Sequence, residues 1–285
     1  MKDLIKVIII GILGGALPVF IKIGVSVMPP QTFIFLRYFL ALLVLLPIYF
    51  YKKEKLVNKK QFIIVAIFAY FNIFFAAIGI KLTSPIMSQM LYSCIPIITT
   101  ILAYFILKNK ITKKQIIGIL IGFIGAFVII ILPAFNKNAI PTGSLQGNLI
   151  VGLAVMSYAT YTIISKKIQK NNSSLSVMTN IALFTFVLQL FIVPFEYSKI
   201  NIAAIISPNI LFAIFYTGVI GTAIYHFLYL NLIKTAGPII ASLVLYVQPI
   251  FTIIWAIVLL GESLSLFLVI GSIFVFIGAY LVSQK

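Results

Sequence analysis

Apolar residues along this chain arrive in unbroken runs of about twenty, separated by short stretches that hold most of the charge. The runs fall at residues 5–27, 32–51, 62–80, 85–107, 115–133, 148–165, 175–195, 210–233, 238–260 and 265–283. A helix needs about 20 mostly apolar residues to cross the hydrocarbon core of a bilayer. A membrane β-strand would instead alternate apolar and polar positions over about 10 residues, and stretches such as Ile116–Leu132 do not alternate. The pattern therefore predicts an all-α membrane protein of ten transmembrane helices, with nothing left over for a soluble domain. The first run reads as a span, not a cleaved leader. It is too long for a signal-peptide core, lacks a small-x-small cleavage site, and is interrupted by Pro18 and Lys22.

Composition agrees and narrows the class. The 285 residues are 62% hydrophobic and only 9% charged, with a mean hydropathy of +1.21. A soluble domain carries about 25% charged residues. Soluble enzymes, disordered tails, disulfide scaffolds and DNA-binding domains are excluded. The net charge of +17, which in a soluble protein would suggest a nucleic-acid partner, has a different meaning here. Sixteen cations belong to one side of the predicted bundle: Lys2, Lys6, Lys52, Lys53, Lys55, Lys59, Lys60, Lys108, Lys110, Lys113, Lys114, Lys166, Lys167, Lys170, Lys234 and Lys285. Lys81, Lys137 and Lys199 belong to the other, and Lys22 and Arg37 lie within spans. By the positive-inside rule both termini are cytoplasmic. The expectation is a multi-pass protein of the cell (inner or plasma) membrane, whose partners are the lipid bilayer and a small solute rather than nucleic acid.

The chain also repeats itself. Residues 85–129 overlie 238–282 without gaps at an offset of 153. The alignment matches Pro85 to Pro238, Pro96 to Pro249, Thr99 to Thr252, Gly118 to Gly271 and Gly125 to Gly278, and Ile80-Lys81 matches Ile233-Lys234 just upstream. The expected units are 1–133 and 148–285, five helices each, joined by a loop at 134–147. An odd helix count makes the two units enter the membrane in opposite directions. Such inverted repeats, with a site near midplane at their interface, are typical of secondary transporters.

Residues three, four and seven apart share a helix face. On that spacing Gly11, Gly14, Pro18 and Lys22 line one face of the first span, and Gln89, Tyr92, Ser93 and Pro96 one face of the fourth. Tyr158 and Tyr161 mark the sixth span, Tyr225, His226 and Tyr229 the eighth, and Tyr246, Gln248 and Pro249 the ninth. Polar side chains in hydrocarbon need partners, so these faces should point into the bundle. For single Ser or Thr residues the simpler reading is helix–helix hydrogen bonding. Five such faces at similar depth point to a solute cavity lined by the tyrosines, Gln89, Gln248 and His226. Tyr38, Tyr49 and Tyr51 read as interfacial belt residues.

Pro18, Pro96 and Pro249 are the expected kinks. Pro96 and Pro249 free the carbonyls of Tyr92 and Leu245, four residues back, either for a solute or in a static kink satisfied by neighbours. Lys22 and Arg37 sit about six residues from the outer ends of their spans, roughly 9 Å deep at 1.5 Å per residue. Either charge can snorkel outward along its stem. Lys22, on the Gly/Pro face, is alternatively placed in an outward vestibule where it attracts a carboxylate.

Ala16–Lys22, Phe35-Leu36-Arg37-Tyr38, Leu82-Thr83-Ser84-Pro85, residues 241–249 and residues 260–265 follow one another in an order that resembles the drug/metabolite transporter superfamily, and within it the EamA family. The resemblance covers essentially the whole chain. It implies a ten-helix inner-membrane carrier of small metabolites, often an exporter of amino acids or related compounds. The position before Pro249 is often acidic in that family and is Gln248 here.

What is missing bears on function as well. No Asp or Glu falls within a span: Asp3 and Glu54 are at cytoplasmic positions, Glu196 and Glu262 at outer helix ends. Proton-coupled efflux of organic cations would call for an intramembrane carboxylate. His226 is the one core group that titrates near neutral pH, read either as a proton relay or as a neutral cavity histidine. One His and one Cys argue against a metal site, and no enzymatic motif or cofactor site is found. Gly118, Gly122, Gly125, Gly271 and Gly278 suit close helix packing within the monomer or in a homodimer. The expected function is alternating-access transport, by export, of a small polar or zwitterionic metabolite such as an amino acid, with proton coupling, uniport and exchange all open. Two alternatives remain: a carrier of phosphorylated or nucleotide-linked solutes using Lys22, Arg37 and Lys81, and a non-transporting membrane structural or enzyme-subunit protein.

Overall fold

The structure, a computed structural model, describes residues 2–108, 111–135 and 143–283. Lys110, Lys137 and Lys285 lie outside the described residues, as does most of the expected loop at 134–147. Each of the ten apolar runs is helical. The first span is Ile5–Val27, followed by Pro30–Tyr51, Lys59–Leu82 and Pro85–Ile106, with Lys113–Phe135 as the fifth. The second half runs through Leu145–Ile168, Ser174–Ile192, Pro208–Ala236 and Pro238–Leu260 to Leu266–Ser283. Local chemistry marks the ends. Pro30, Pro85, Pro208 and Pro238 sit in first helical turns, where the missing N–H costs nothing. Ser84, Ser144 and Ser173 cap their helices, each accepting from the backbone N–H three residues on.

The two halves interleave. The fifth span packs on the tenth, the second on the seventh and the fourth on the ninth. Under exchange of the halves each of these pairs maps onto itself. The third span packs on the sixth as the eighth packs on the first, and the first meets the ninth as the sixth meets the fourth. This reciprocity is what a two-fold axis between inverted repeats demands. Glycine permits the closest of the contacts. Gly118 abuts the Gly278 carbonyl and Gly125 abuts the Gly271 carbonyl, so closely that a Cβ at Gly118, Gly125 or Gly278 would collide with backbone. The crossed matching makes the two spans antiparallel, and it places these glycines inside the monomer.

Regular helix fails where the halves meet. The first span breaks at Ala16, between Lys2–Gly15 and Leu17–Val27. The fourth breaks at Ser93–Cys94 and the ninth at Leu243. The eighth widens into a π-helix over Tyr216–Tyr225.

Candidate functional site

Where the first four spans meet the sixth, eighth and ninth, the packing leaves a cavity of about 80 Å³. At about 10–15 Å³ per water, that is room for roughly six water molecules or a small solute. Ile21, Phe33, Ile34, Ile73, Ala77 and Ile80 form an apolar wall. Arg37, Asn72, Gln89, Tyr92, Tyr225 and Gln248 form a polar one.

Part of the polar wall is a hydrogen-bonded chain that joins the two halves. Gln89 Nε2 donates to Gln248 Oε1 at 3.0 Å, and Gln248 Nε2 donates to the Tyr225 hydroxyl at 2.8 Å. The Tyr225 and Tyr158 hydroxyls lie 3.5 Å apart. Across the cavity Asn72 Nδ2 donates to the Tyr92 hydroxyl at 2.6 Å and to the Ala154 carbonyl at 3.0 Å. Gly14 makes room for this arrangement, because a Cβ there would run into the Gln248 amide and the Tyr225 ring. Beneath it the tyrosines form a layer. The Tyr158 ring lies 5.9 Å from Tyr92 and 5.4 Å from Tyr229, and Tyr229 stacks on Tyr225 at 6.1 Å.

Side chains bridge the π-helical stretch of the eighth span. Thr222 Oγ1 donates to the Thr217 carbonyl at 2.9 Å, and His226 Nδ1 contacts the Gly221 carbonyl. Each partner lies five residues back, the span of a π-turn. A carbonyl only accepts, so Nδ1 carries the proton and Nε2 is the remaining ring nitrogen. Insertions of this kind are frequent at functional sites.

The expected site residues divide by place. Pro18, Gln89, Tyr92, Tyr158, Tyr225, His226 and Gln248 line the cavity. Tyr161 instead borders a smaller void with Tyr38, Asn72 and His226. Tyr229 is fully buried behind Tyr225, its hydroxyl 3.3 Å from Thr162. Ser93 donates to the Gln89 and Leu245 carbonyls, each at 3.1 Å. Tyr246 points away from the cavity, with its ring edge-on to Phe276 at 6.3 Å.

Lys22 does not reach the cavity lining. Its ammonium donates to the carbonyls of Ile80, Lys81 and Thr83 at 3.0, 3.0 and 2.7 Å. It thus caps the C-terminus of the third span, where the helix dipole favours a cation. Lys166 does the same for the eighth span through the Ile233 and Lys234 carbonyls, at 3.2 and 2.6 Å. Those carbonyls are the repeat counterparts of Ile80 and Lys81.

Arg37 corrects the snorkelling expectation. Its guanidinium stays buried, with Nε donating to Thr222 Oγ1 at 2.7 Å. Tyr38 is not a belt residue either, since it is only 1% exposed. Both turn inward because the second span is flanked by the third, seventh and eighth, which leaves their face of the helix no lipid. Asn72 and Ser88 are lining residues that the stripe reading passed over. Asn72 could have been found as an amide in an otherwise apolar stretch of the third span.

Two of the three prolines stand at helix breaks. Pro18 and Pro96 are the second residues of the pieces that begin at Leu17 and Ile95. Pro249 lies inside Val244–Leu260, below the break at Leu243. The carbonyl it frees, that of Leu245, is taken by Ser93. The first span's break is tied by Thr252 to the Gly15 carbonyl and by the Tyr216 hydroxyl to that of Leu13 at 3.1 Å.

Comparison with known proteins agrees with this architecture. The family model described as the EamA-like transporter family matches residues 1–131 and 145–284. The uncharacterized transporter YyaM of Bacillus subtilis is 30% identical over 220 residues, covering 75% of this chain and 69% of its own length. A WAT1-related protein of Arabidopsis thaliana is 24% identical, covering 86% of this chain and 72% of its own. The S-adenosylmethionine uptake transporter of Rickettsia prowazekii is 29% identical over 55% of this chain and 52% of its own. One solved crystal structure superposes with a TM-score of 0.70 at 16% identity, over 96% of this chain and 95% of that one, which speaks to the fold alone. Interleaved inverted halves, a cavity at their interface and a family match over both halves lead to one conclusion: this chain belongs to the EamA-like transporter family and is a multi-pass membrane transporter, not an enzyme.

Proposed function

We propose that this transporter exports small polar or zwitterionic metabolites, amino acids among them, by rocking its two five-helix halves about the central cavity. The observation that carries this reading is the Gln89–Gln248–Tyr225 relay, which joins the fourth span of one half to the eighth and ninth of the other. A network made of neutral donors and acceptors can bind a polar solute in one conformation and re-pair with itself in the other. Gln89, Tyr92, Tyr158, Tyr225, His226 and Gln248 are the proposed solute contacts, and the kinks at Pro18, Pro96 and Pro249 the proposed hinges. The lysine bias supports cytoplasmic termini. Among the lining residues no carboxylate is present to meet a cation such as the sulfonium of S-adenosylmethionine.

The phosphorylated-solute alternative loses support. Of its three cations, Lys22 is held by backbone carbonyls and only Arg37 lines the cavity.

The test is flux from proteoliposomes loaded with labelled amino acids. Gln248→Ala or Tyr92→Ala should slow export while leaving the melting temperature near that of the wild type. Absence of flux across a broad panel of amino acids, nucleosides and phosphate esters would overturn the carrier reading.

A further inference from the structure

We infer that Arg37 is the anchor for a single anionic group on the transported solute, and that the preferred solute is a small organic monocarboxylate with an apolar body. The inference rests on the carrier reading and departs from its zwitterionic substrates in favour of a monoanion.

Arg37 is 6% exposed, seven residues into the second span, and what exposure it has is into the cavity it lines. A guanidinium carries five N–H donors and cannot be neutralised in a protein. Here Nε is bonded to Thr222, and no carboxylate among the described residues pairs with the group. An unpaired buried charge is costly and normally finds a counter-ion. No acidic side chain lines the cavity, so a solute that enters it is the natural source of the counter-charge. The fork of a guanidinium matches a carboxylate in a bidentate pair.

Two further features specify the rest of the solute. Ser88, also in the lining and 1% exposed, has a hydroxyl with no hydrogen-bond partner among the described residues. The wall of Ile21, Phe33, Ile34, Ile73, Ala77 and Ile80 suits an aliphatic body and offers an ammonium nothing. A monoanion neutralises Arg37. A zwitterion would bring a second cation into a cavity that already holds one and has no acid in its lining.

A matched set of probes isolates the charge: 3-methylbutanoate, its neutral amide, leucine and 3-methylbutylamine, added to the purified full-length protein in detergent at neutral pH. A ligand that binds the folded state raises the melting temperature in a saturable way. The acid should raise it most, leucine less, and the amide and amine least. Charge-assisted hydrogen bonds contribute about 1.5–3 kcal/mol, so Arg37→Gln should weaken the response to the acid by about tenfold to a hundredfold. Arg37→Lys keeps the charge but loses the fork, so it should still prefer acid to amide at lower affinity. That variant remains informative if Arg37→Gln folds poorly.

Equal responses to acid and amide, a stronger response to leucine, no response to the acid, or an undiminished acid response in Arg37→Gln would each overturn the proposal. Flux of leucine or the amide independent of Arg37 would overturn it while leaving the carrier reading intact. The carrier reading itself fails only if the broad panel shows no flux.

Discussion

At the scale of single residues, the cavity depends on small groups placed to let large ones meet. Gly14 is the clearest case, because the Gln248 amide and the Tyr225 ring occupy the space its side chain would need. Gly14→Ala should displace the Gln248 amide, the flexible member of the pair, and break its 2.8 Å bond to Tyr225. Transport should fall at least as far as in Gln248→Ala with little loss of melting temperature, measured as flux and thermal shift on the same preparation. His226 allows a second test. Its Nδ1–H is committed to the Gly221 carbonyl, so the ring serves first to hold the π-turn. His226→Gln retains a donor of similar reach and should preserve folding, measured as an unchanged melting temperature. If flux in wild type and variant ignores an imposed pH gradient, the relay reading of this histidine is finished.

At the scale of elements, the breaks and ends of helices matter more than their middles. Lys22 and Lys166 cap equivalent helix ends in the two halves through two or three carbonyls each. Lys22→Met and Lys166→Met should each destabilise the protein by about 0.5–2 kcal/mol, in keeping with a partly buried cation at a helix C-terminus. Comparable melting losses for the pair are expected, and a loss confined to one would break the symmetry argument. Glu262, just beyond the ninth span, is set against the start of the fourth and accepts from Ile86 N–H at 3.4 Å. Burial holds its carboxyl above the ordinary range, against the pull of the Ile86 and Ser84 hydrogen bonds and the Lys22 charge. A raised carboxyl pKa favours the protonated form in the folded state. The stability it contributes is therefore full below the unfolded value and lost as pH rises through the folded one. Melting curves of wild type should fall relative to Glu262→Gln over that rise, and a constant difference would contradict this assignment.

At the scale of the whole molecule, the halves are held together by contacts that pair up under their exchange. The fifth and tenth spans meet backbone to backbone at Gly118, Gly125, Gly271 and Gly278. Gly278→Val has to push the two helices apart, and overpacking of this kind costs about 1–3 kcal/mol. A melting temperature unchanged by Gly278→Val would mean that the pair is not packed this way in the membrane. Class, spans and repeat were legible in the chain, because run length, lysine bias and a self-match at an offset of 153 are properties of the line of residues itself. So was most of the polar wall, since side chains sharing a helix face in lipid must turn toward other protein. The roles of Lys22 and Arg37 were not legible. Each is one cation at similar depth in neighbouring spans, and their difference lies in what packs opposite. Lys22 meets a helix end with unpaired carbonyls, whereas Arg37 meets a threonine and an open space. Sequence by itself determined that the chain crosses the membrane as two inverted halves with no acid inside. Only the tertiary structure decided which charge lines the cavity, because a cation's role is set by the acceptors that other spans bring to it.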